Sequence, residues 1–280
     1  MKMNLHITTL TDNIASGGNI LAEQGLSILV ETEETTILLD TGKTFTATHN
    51  ADALGIDLSK IDKIILSHGH NDHTGGLRQI LHRIGKEIEI IAHPDVWGDK
   101  YGRRQGEKDR YIGIPFVRQQ LESLGANFNL TTKPVKITES IMTTGEIPMV
   151  TEFEEIDPTL FVKEDTGWQP DKLKDDLAII INTEYGLIII LSCAHRGIIN
   201  TIYHAQQLTG VKGVHMILGG SHLISASEER LWLTIAALRE LGVPRLGLSH
   251  CTGLPAMSLL AQEFGENFFF NTAGTSLSLP

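Results

Sequence analysis

Short runs of aliphatic and β-branched residues recur along the chain at 5–10, 26–31, 36–39, 63–67, 88–92, 177–182, 187–191 and 214–218. Each is bounded by polar or glycine-containing turns and is too brief for a helix, so each reads as a strand. Elsewhere the apolar spacing lengthens to that of a helix. Over 227–241, Leu231, Ile235, Leu238 and Leu241 fall on one face, and Gly242-Val243-Pro244 supplies the stop. A further helix is expected from about Ile198 to a terminating Gly210. The alternation of strands and helices predicts an α/β fold.

Four of the apolar runs end in a histidine-bearing turn. They are Ile64-Ile65-Leu66-Ser67-His68, Ile189-Ile190-Leu191-Ser192-Cys193-Ala194-His195, Ile217-Leu218-Gly219-Gly220-Ser221-His222 and Gly247-Leu248-Ser249-His250. Rigid strands position such turns while the turns stay open to ligand, so the histidines are expected to converge. The ligand candidates run from Asp40 to His250 without a Pro/Gly/Ser linker, which favours one domain over 1–280. The stretch of about 94–176, with polar turns, Trp97, Trp168 and scattered charges, reads as an elaboration between catalytic motifs and a candidate lid.

Composition narrows the picture. A net charge of −11 argues against a general nucleic-acid binder, because such binding depends on Lys and Arg neutralising phosphates. No apolar run reaches the length of a membrane helix, and the start lacks the apolar segment of a signal peptide, so a cytoplasmic protein without membrane partners is expected. Cys193 and Cys251 are too few for a disulfide framework and read as compact packing residues. Composition says nothing of oligomeric state.

The strongest local signal is His68-Gly69-His70-Asn71-Asp72-His73, where four ligand-type side chains lie within six residues. Clustered imidazoles suit Zn, Fe, Mn or similar ions. With Leu39-Asp40-Thr41-Gly42 before it and single histidines at His195 and His250 after it, the chain resembles the metallo-β-lactamase superfamily over nearly its whole length. That resemblance implies an αββα four-layer sandwich and a binuclear centre. It implies that His68, His70 and His195 hold one ion, that Asp72, His73 and His250 hold the other, and that Asp40 orients a ligand imidazole. Where many members carry an Asp bridging both ions, this chain reads Leu218-Gly219-Gly220-Ser221-His222-Leu223. His222 is a candidate ligand or acid, but a neutral imidazole offers one lone pair and cannot bridge as a carboxylate does.

More narrowly, several stretches resemble the subgroup of metal-dependent hydrolases related to dihydropterin-ribofuranosylaminobenzene phosphate synthase. They are Glu23-Gln24-Gly25-Leu26-Ser27, Thr144-Gly145-Glu146-Ile147-Pro148, Asp175-Asp176-Leu177, the run from Ser192 to Asn200, Gly219-Gly220-Ser221-His222-Leu223, and His250-Cys251-Thr252-Gly253. The resemblance implies a hydrolase using metal-activated water on a small phosphorylated or anionic substrate, with two divalent ions, zinc first and Mn or Fe next. Asp72 and His222 are the expected catalytic groups. A pterin-diphosphate-dependent transferase and a non-catalytic metal sensor remain as alternatives. Arg103 and Arg104, in a basic cluster with Lys100, Lys108 and Arg110, are candidate phosphate contacts, against a solvated loop paired with Glu107 and Asp109.

Overall fold

A computed structural model of the chain describes residues 4–279. The backbone divides into two compact units. An N-terminal unit comprises Asn4–Thr132, Asp157–Asp175 and 272–279; a C-terminal unit comprises Lys133–Ile156 and Asp176–Asn271. Of the stretch 94–176, residues 94–132 and 157–175 fall in the N-terminal unit and the remainder in the C-terminal unit.

The N-terminal unit is built on seven strands, β1 (Leu5–Thr11), β2 (Ser27–Glu31), β3 (Thr36–Leu39), β4 (Lys63–Ile65), β5 (Ile88–Ala92), β8 (Ala126–Leu130) and β17 (Ser276–Leu279), in the order β17-β1-β2-β3-β4-β5-β8. The pairings from β17 to β3 are antiparallel and those from β3 to β8 parallel. Alternate strand residues Leu29, Leu38, Ile64, Ile90 and Phe128 share one core with Ala47 and Ala51 of α1 (Thr46–Ala53), with Leu77, Ile80, Leu81 and Ile84 of α3 (Leu77–Ile84), and with Leu121 of α4 (Arg118–Glu122). Each fully buried aliphatic side chain there stabilises the fold by about 1.5–3 kcal/mol. The short helix α2 (Asn71–Thr74) carries Asp72 and His73. A second, antiparallel sheet of this unit runs β11-β10-β6-β7, from β6 (Lys100–Gly102), β7 (Arg110–Tyr111), β10 (Leu160–Glu164) and β11 (Gly167–Pro170).

The C-terminal unit holds six strands in the order β16-β15-β14-β13-β12-β9: β9 (Ile141–Thr143), β12 (Ile179–Thr183), β13 (Gly186–Ile190), β14 (Val214–Gly220), β15 (Leu246–Ser249) and β16 (Phe268–Phe270). From β13 to β16 the strands are parallel. Their connections are α5 (Ile198–Thr209), α6 (Glu228–Glu240) and α7 (Leu254–Phe264). The anticipated boundaries hold closely: α5 ends at Gly210 in a left-handed conformation, and α6 begins at Ser227, whose hydroxyl accepts the Arg230 N–H. On α6 the expected face is turned inward, with Ile235 and Leu238 buried while Trp232 and Leu233 are exposed. No helix of the described residues is long and apolar enough to cross a membrane.

Candidate metal centre

In the N-terminal unit β3 and β4 are parallel neighbours, so Asp40 and Ser67 leave their carboxyl ends side by side. The fully buried Asp40 carboxylate accepts the Ser67 N–H at 2.8 Å and the Ser67 hydroxyl at 2.7 Å, and contacts His73 Nδ1 at 2.8 Å. A carboxylate is acceptor-only, so His73 carries its proton on Nδ1 and presents the lone pair of Nε2. The Ser67 hydroxyl gives its one proton to Asp40 and therefore accepts from His68 Nδ1, 2.8 Å away, which turns the lone pair of His68 Nε2 outward. One carboxylate thus sets two imidazoles. The turn that follows Asp40 is held by Glu23, which accepts the N–H groups of Lys43 and Thr44.

The ligand spacing is equally specific. His68 Nε2 and His70 Nδ1 lie 3.0 Å apart, with ring centroids at 4.5 Å, and the His68 and His73 rings are 4.3 Å apart. Two nitrogens bonded to one Zn at about 2.0–2.1 Å in tetrahedral geometry are separated by about 3.3 Å, close to the first of these distances. Asp72 Oδ1 is 3.9 Å from His73 Nε2, so a carboxylate oxygen and an imidazole lone pair stand together beside that pair.

The C-terminal unit supplies its own cluster from the carboxyl ends of β13, β14 and β15. The His195 and His222 rings are 4.1 Å apart. Ligand atoms of Cys193, His195 and His222 lie within 4.8 Å of one another, as do those of Cys193, His250 and Cys251. The Cys251 sulphur accepts the His222 N–H at 3.3 Å, and its thiol donates to the Cys193 carbonyl at 3.4 Å. Burial pushes the Cys251 thiol up, but a hydrogen bond with the Cys193 side chain, the charge of His250, and the hydrogen bond and charge of His222 outweigh this and hold it well below the usual thiol range. In each unit the clustered donors are mostly buried and of types that fit a divalent transition metal, borderline imidazoles with a carboxylate in one and imidazoles with soft sulphurs in the other.

Backbone strain gathers at these same places. Among the described residues the non-glycine positions with positive φ are Asp40 (57°), Leu173 (42°), Ala194 (50°), His222 (45°) and His250 (53°). Left-handed backbone costs a non-glycine residue of order 1–3 kcal/mol and collects at functional sites.

The residues from Ser192 to Asn200 act as a brace around His195. The Arg196 N–H donates to Asp176 Oδ2 at 2.9 Å, and its guanidinium to the Ile147 carbonyl. Asn200 Oδ1 accepts the N–H groups of Val150 and Thr151, while Glu154 accepts those of Ile199 and Asn200 at the start of α5.

Comparison with known proteins fits this arrangement. Residues 20–175 match the family model described as the metallo-beta-lactamase superfamily. The 7,8-dihydropterin-6-methyl-4-(beta-D-ribofuranosyl)-aminobenzene-5'-phosphate synthase of Methanocaldococcus jannaschii is 35% identical over 279 residues, covering 95% of this chain and 93% of that protein. The chain belongs to the metallo-β-lactamase superfamily. An uncharacterized protein of the same organism is 30% identical, covering 98% of this chain and all of that one. The solved structure of Tm1679, a metal-dependent hydrolase of the beta-lactamase superfamily, superposes with a TM-score of 0.85 at 26% identity, covering 98% of this chain and 99% of the other.

For a metallo-β-lactamase family member, the support beneath the His68-Gly69-His70 turn is what sequence reading missed. Lys100 is buried, and its ammonium donates to Asp171 at 2.8 Å and to Asp175 at 3.0 Å. The other oxygen of Asp175 accepts the Gly69 N–H at 2.8 Å. A Cβ on Gly69 would stand 2.2 Å from the Val96 carbonyl oxygen, so only glycine lets the turn sit this low. Burial pulls the Lys100 ammonium down, but the carboxylates of Asp175 and Asp171 outweigh it and hold it above its usual value. Burial in turn pushes Asp175 up against the pull of Lys100. Lys100, grouped by sequence with the candidate phosphate contacts Arg103 and Arg104, is therefore a structural cation. The nearby Asp175-Asp176 motif was the available signal.

Arg103 pairs with Asp109 at 2.9 Å and lies over Trp168, 4.2 Å from the ring centroid, with Phe161 at 5.2 Å. Arg104 is exposed. Tyr101 stacks edge-on against Tyr111 and Trp168, whereas Trp97 packs on Phe128 at the margin of the core.

Proposed function

We propose that this protein is a metal-dependent transferase acting on small phosphorylated substrates, joining a dihydropterin carried on a diphosphate to an aminobenzene phosphate. The observation that carries this reading is 35% identity, over nearly the whole of both chains, to a protein named for that synthesis. By motif order, His68, His70 and His195 are assigned to one ion and Asp72, His73 and His250 to a second, with zinc the first candidate and Mn or Fe next. Divalent ions so held would supply positive charge to stabilise anionic oxygens and a departing diphosphate.

The chain's own groups then have distinct tasks. Asp40 fixes the tautomers of His68 and His73 through the bonds described above, so their lone pairs need no reorganisation. Asp72, partly exposed and next to His73, is placed to hold a proton or orient an incoming nucleophile. His222 is the candidate acid. Arg103 and Arg104 are proposed phosphate contacts, of which Arg103 must first exchange Asp109 for the substrate.

Hydrolysis of a phosphorylated or otherwise anionic small molecule is the second reading, favoured by the likeness to Tm1679, a metal-dependent hydrolase. The test is to supply a dihydropterin diphosphate with and without an aminobenzene phosphate and identify the products. A joined product supports transfer; release of the free pterin alcohol regardless of acceptor supports hydrolysis. No turnover of either kind by metal-loaded protein would overturn both.

A further inference from the structure

We propose that Cys193 is a metal ligand shared by the two ions, a thiolate standing where this superfamily's bridging carboxylate is lacking. The inference rests on the metal-centre reading above. Its observations come from the C-terminal unit alone: the Cys193 sulphur shares one group of ligand atoms with His195 and His222, and another with His250 and Cys251, each group lying within 4.8 Å.

The position matters because His195 and His250 are assigned to different ions. One sulphur within ligand reach of both stands where a shared ligand must stand. Two donors on one ion at about 2.1–2.3 Å can be no more than about 4.5 Å apart, so spacing of this order is closed by a small side-chain adjustment. Cys193 is also 2% exposed, on the fully buried stretch that follows β13, which restricts it to partners inside the molecule. Cys251 shares only the second group and is already committed to the His222 N–H and the Cys193 carbonyl.

The chemistry suits the vacant role. His222 occupies the sequence position of the bridging Asp, yet its imidazole has one lone pair. A thiolate sulphur has more than one and prefers borderline and soft ions such as zinc. On binding, the Cys193 S–H bond breaks, the proton leaves to solvent, and the sulphur's electron pairs form the bonds to the ions, with no change of oxidation state. A thiolate bridge would favour zinc over Mn, because Mn prefers oxygen donors.

The test uses full-length protein depleted of metal and titrated with Co2+, comparing the wild type with Cys193→Ser and Cys251→Ser. The expected result is a near-ultraviolet sulphur-to-cobalt charge-transfer band in the wild type and in Cys251→Ser. Cys193→Ser is expected to lose the band and bind Co2+ at least about tenfold more weakly. Zinc X-ray absorption on the wild type needs no variant and should show a sulphur scatterer near about 2.3 Å. Metal uptake with only nitrogen and oxygen scatterers, or a band that survives Cys193→Ser, would overturn the assignment while leaving the metal centre standing. Failure of the wild type to take up either ion would overturn both.

Discussion

Asp40 illustrates how much of this site depends on one side chain that need touch no ion. Its carboxylate holds Ser67 and His73 directly and His68 through the Ser67 hydroxyl. Asp40→Asn replaces an acceptor with a donor facing His73, and is expected to weaken metal binding by about 10–100-fold with the fold retained. Competition against a chromophoric chelator measures this, and an unchanged affinity would contradict the role. Lys100 makes the complementary case for stability. Lys100→Met leaves Asp171 and Asp175 buried without their cation, and should cost about 3–5 kcal/mol in denaturant unfolding. A loss below about 1 kcal/mol would show that the carboxylates relax without it. The two residues differ in legibility for a physical reason. Asp40 and the His68 cluster are read from short-range spacing, whereas Lys100 meets Asp171 and Asp175 across more than seventy residues, and only the fold brings them together. Arg103 and Lys100 look alike in sequence, and burial alone separates them.

At the level of elements, the parallel strands β4, β5, β13 and β14 were legible because continuous aliphatic runs mark strands buried on both faces, whereas β8, with the sequence Ala126-Asn127-Phe128-Asn129-Leu130, has no such run. The strands β6, β7, β10 and β11 were not legible, since Lys100-Tyr101-Gly102 or Gly167-Trp168-Gln169-Pro170 shows neither an apolar run nor clear alternation. Strand order was likewise invisible, because it depends on contacts distant in sequence. The turns at Asp40, His195, His222 and His250 each place a non-glycine residue at positive φ, and Gly219, just before the His222 turn, permits a close backbone approach. Its φ is 103°, and an added Cβ would lie 2.1 Å from the Leu191 carbonyl oxygen. Gly219→Ala should therefore cost about 1–3 kcal/mol and displace His222, read as a lowered thermal midpoint together with weaker metal binding. Glu154, capping α5, gives a pH-dependent signature. Burial pushes its carboxyl above the usual value against the pull of the Ile199 and Asn200 N–H groups. The folded chain therefore binds this proton more tightly than the unfolded one, and its contribution to stability is lost as pH rises from 4.5 through the raised value. Relative to Glu154→Gln, the wild type should lose unfolding free energy across that window, and parallel stability curves would contradict it.

On the scale of the whole molecule, the family resemblance read from four short motifs agrees with a family-model match over residues 20–175 and a structural match covering 98% of the chain. The net charge of −11 accompanies an interior rich in buried Asp and His, so metal loading is expected to relieve charge as well as organise ligands. Ions that bind only the folded chain should raise its stability by about 2.7 kcal/mol at a hundredfold excess over Kd. The measurement that bears most directly on the central claim is the metal content of the purified protein, determined alongside turnover of a dihydropterin diphosphate before and after chelation. The account expects about two divalent ions per chain, with turnover lost on chelation and restored by adding metal back. Full turnover by folded, metal-free protein would contradict it.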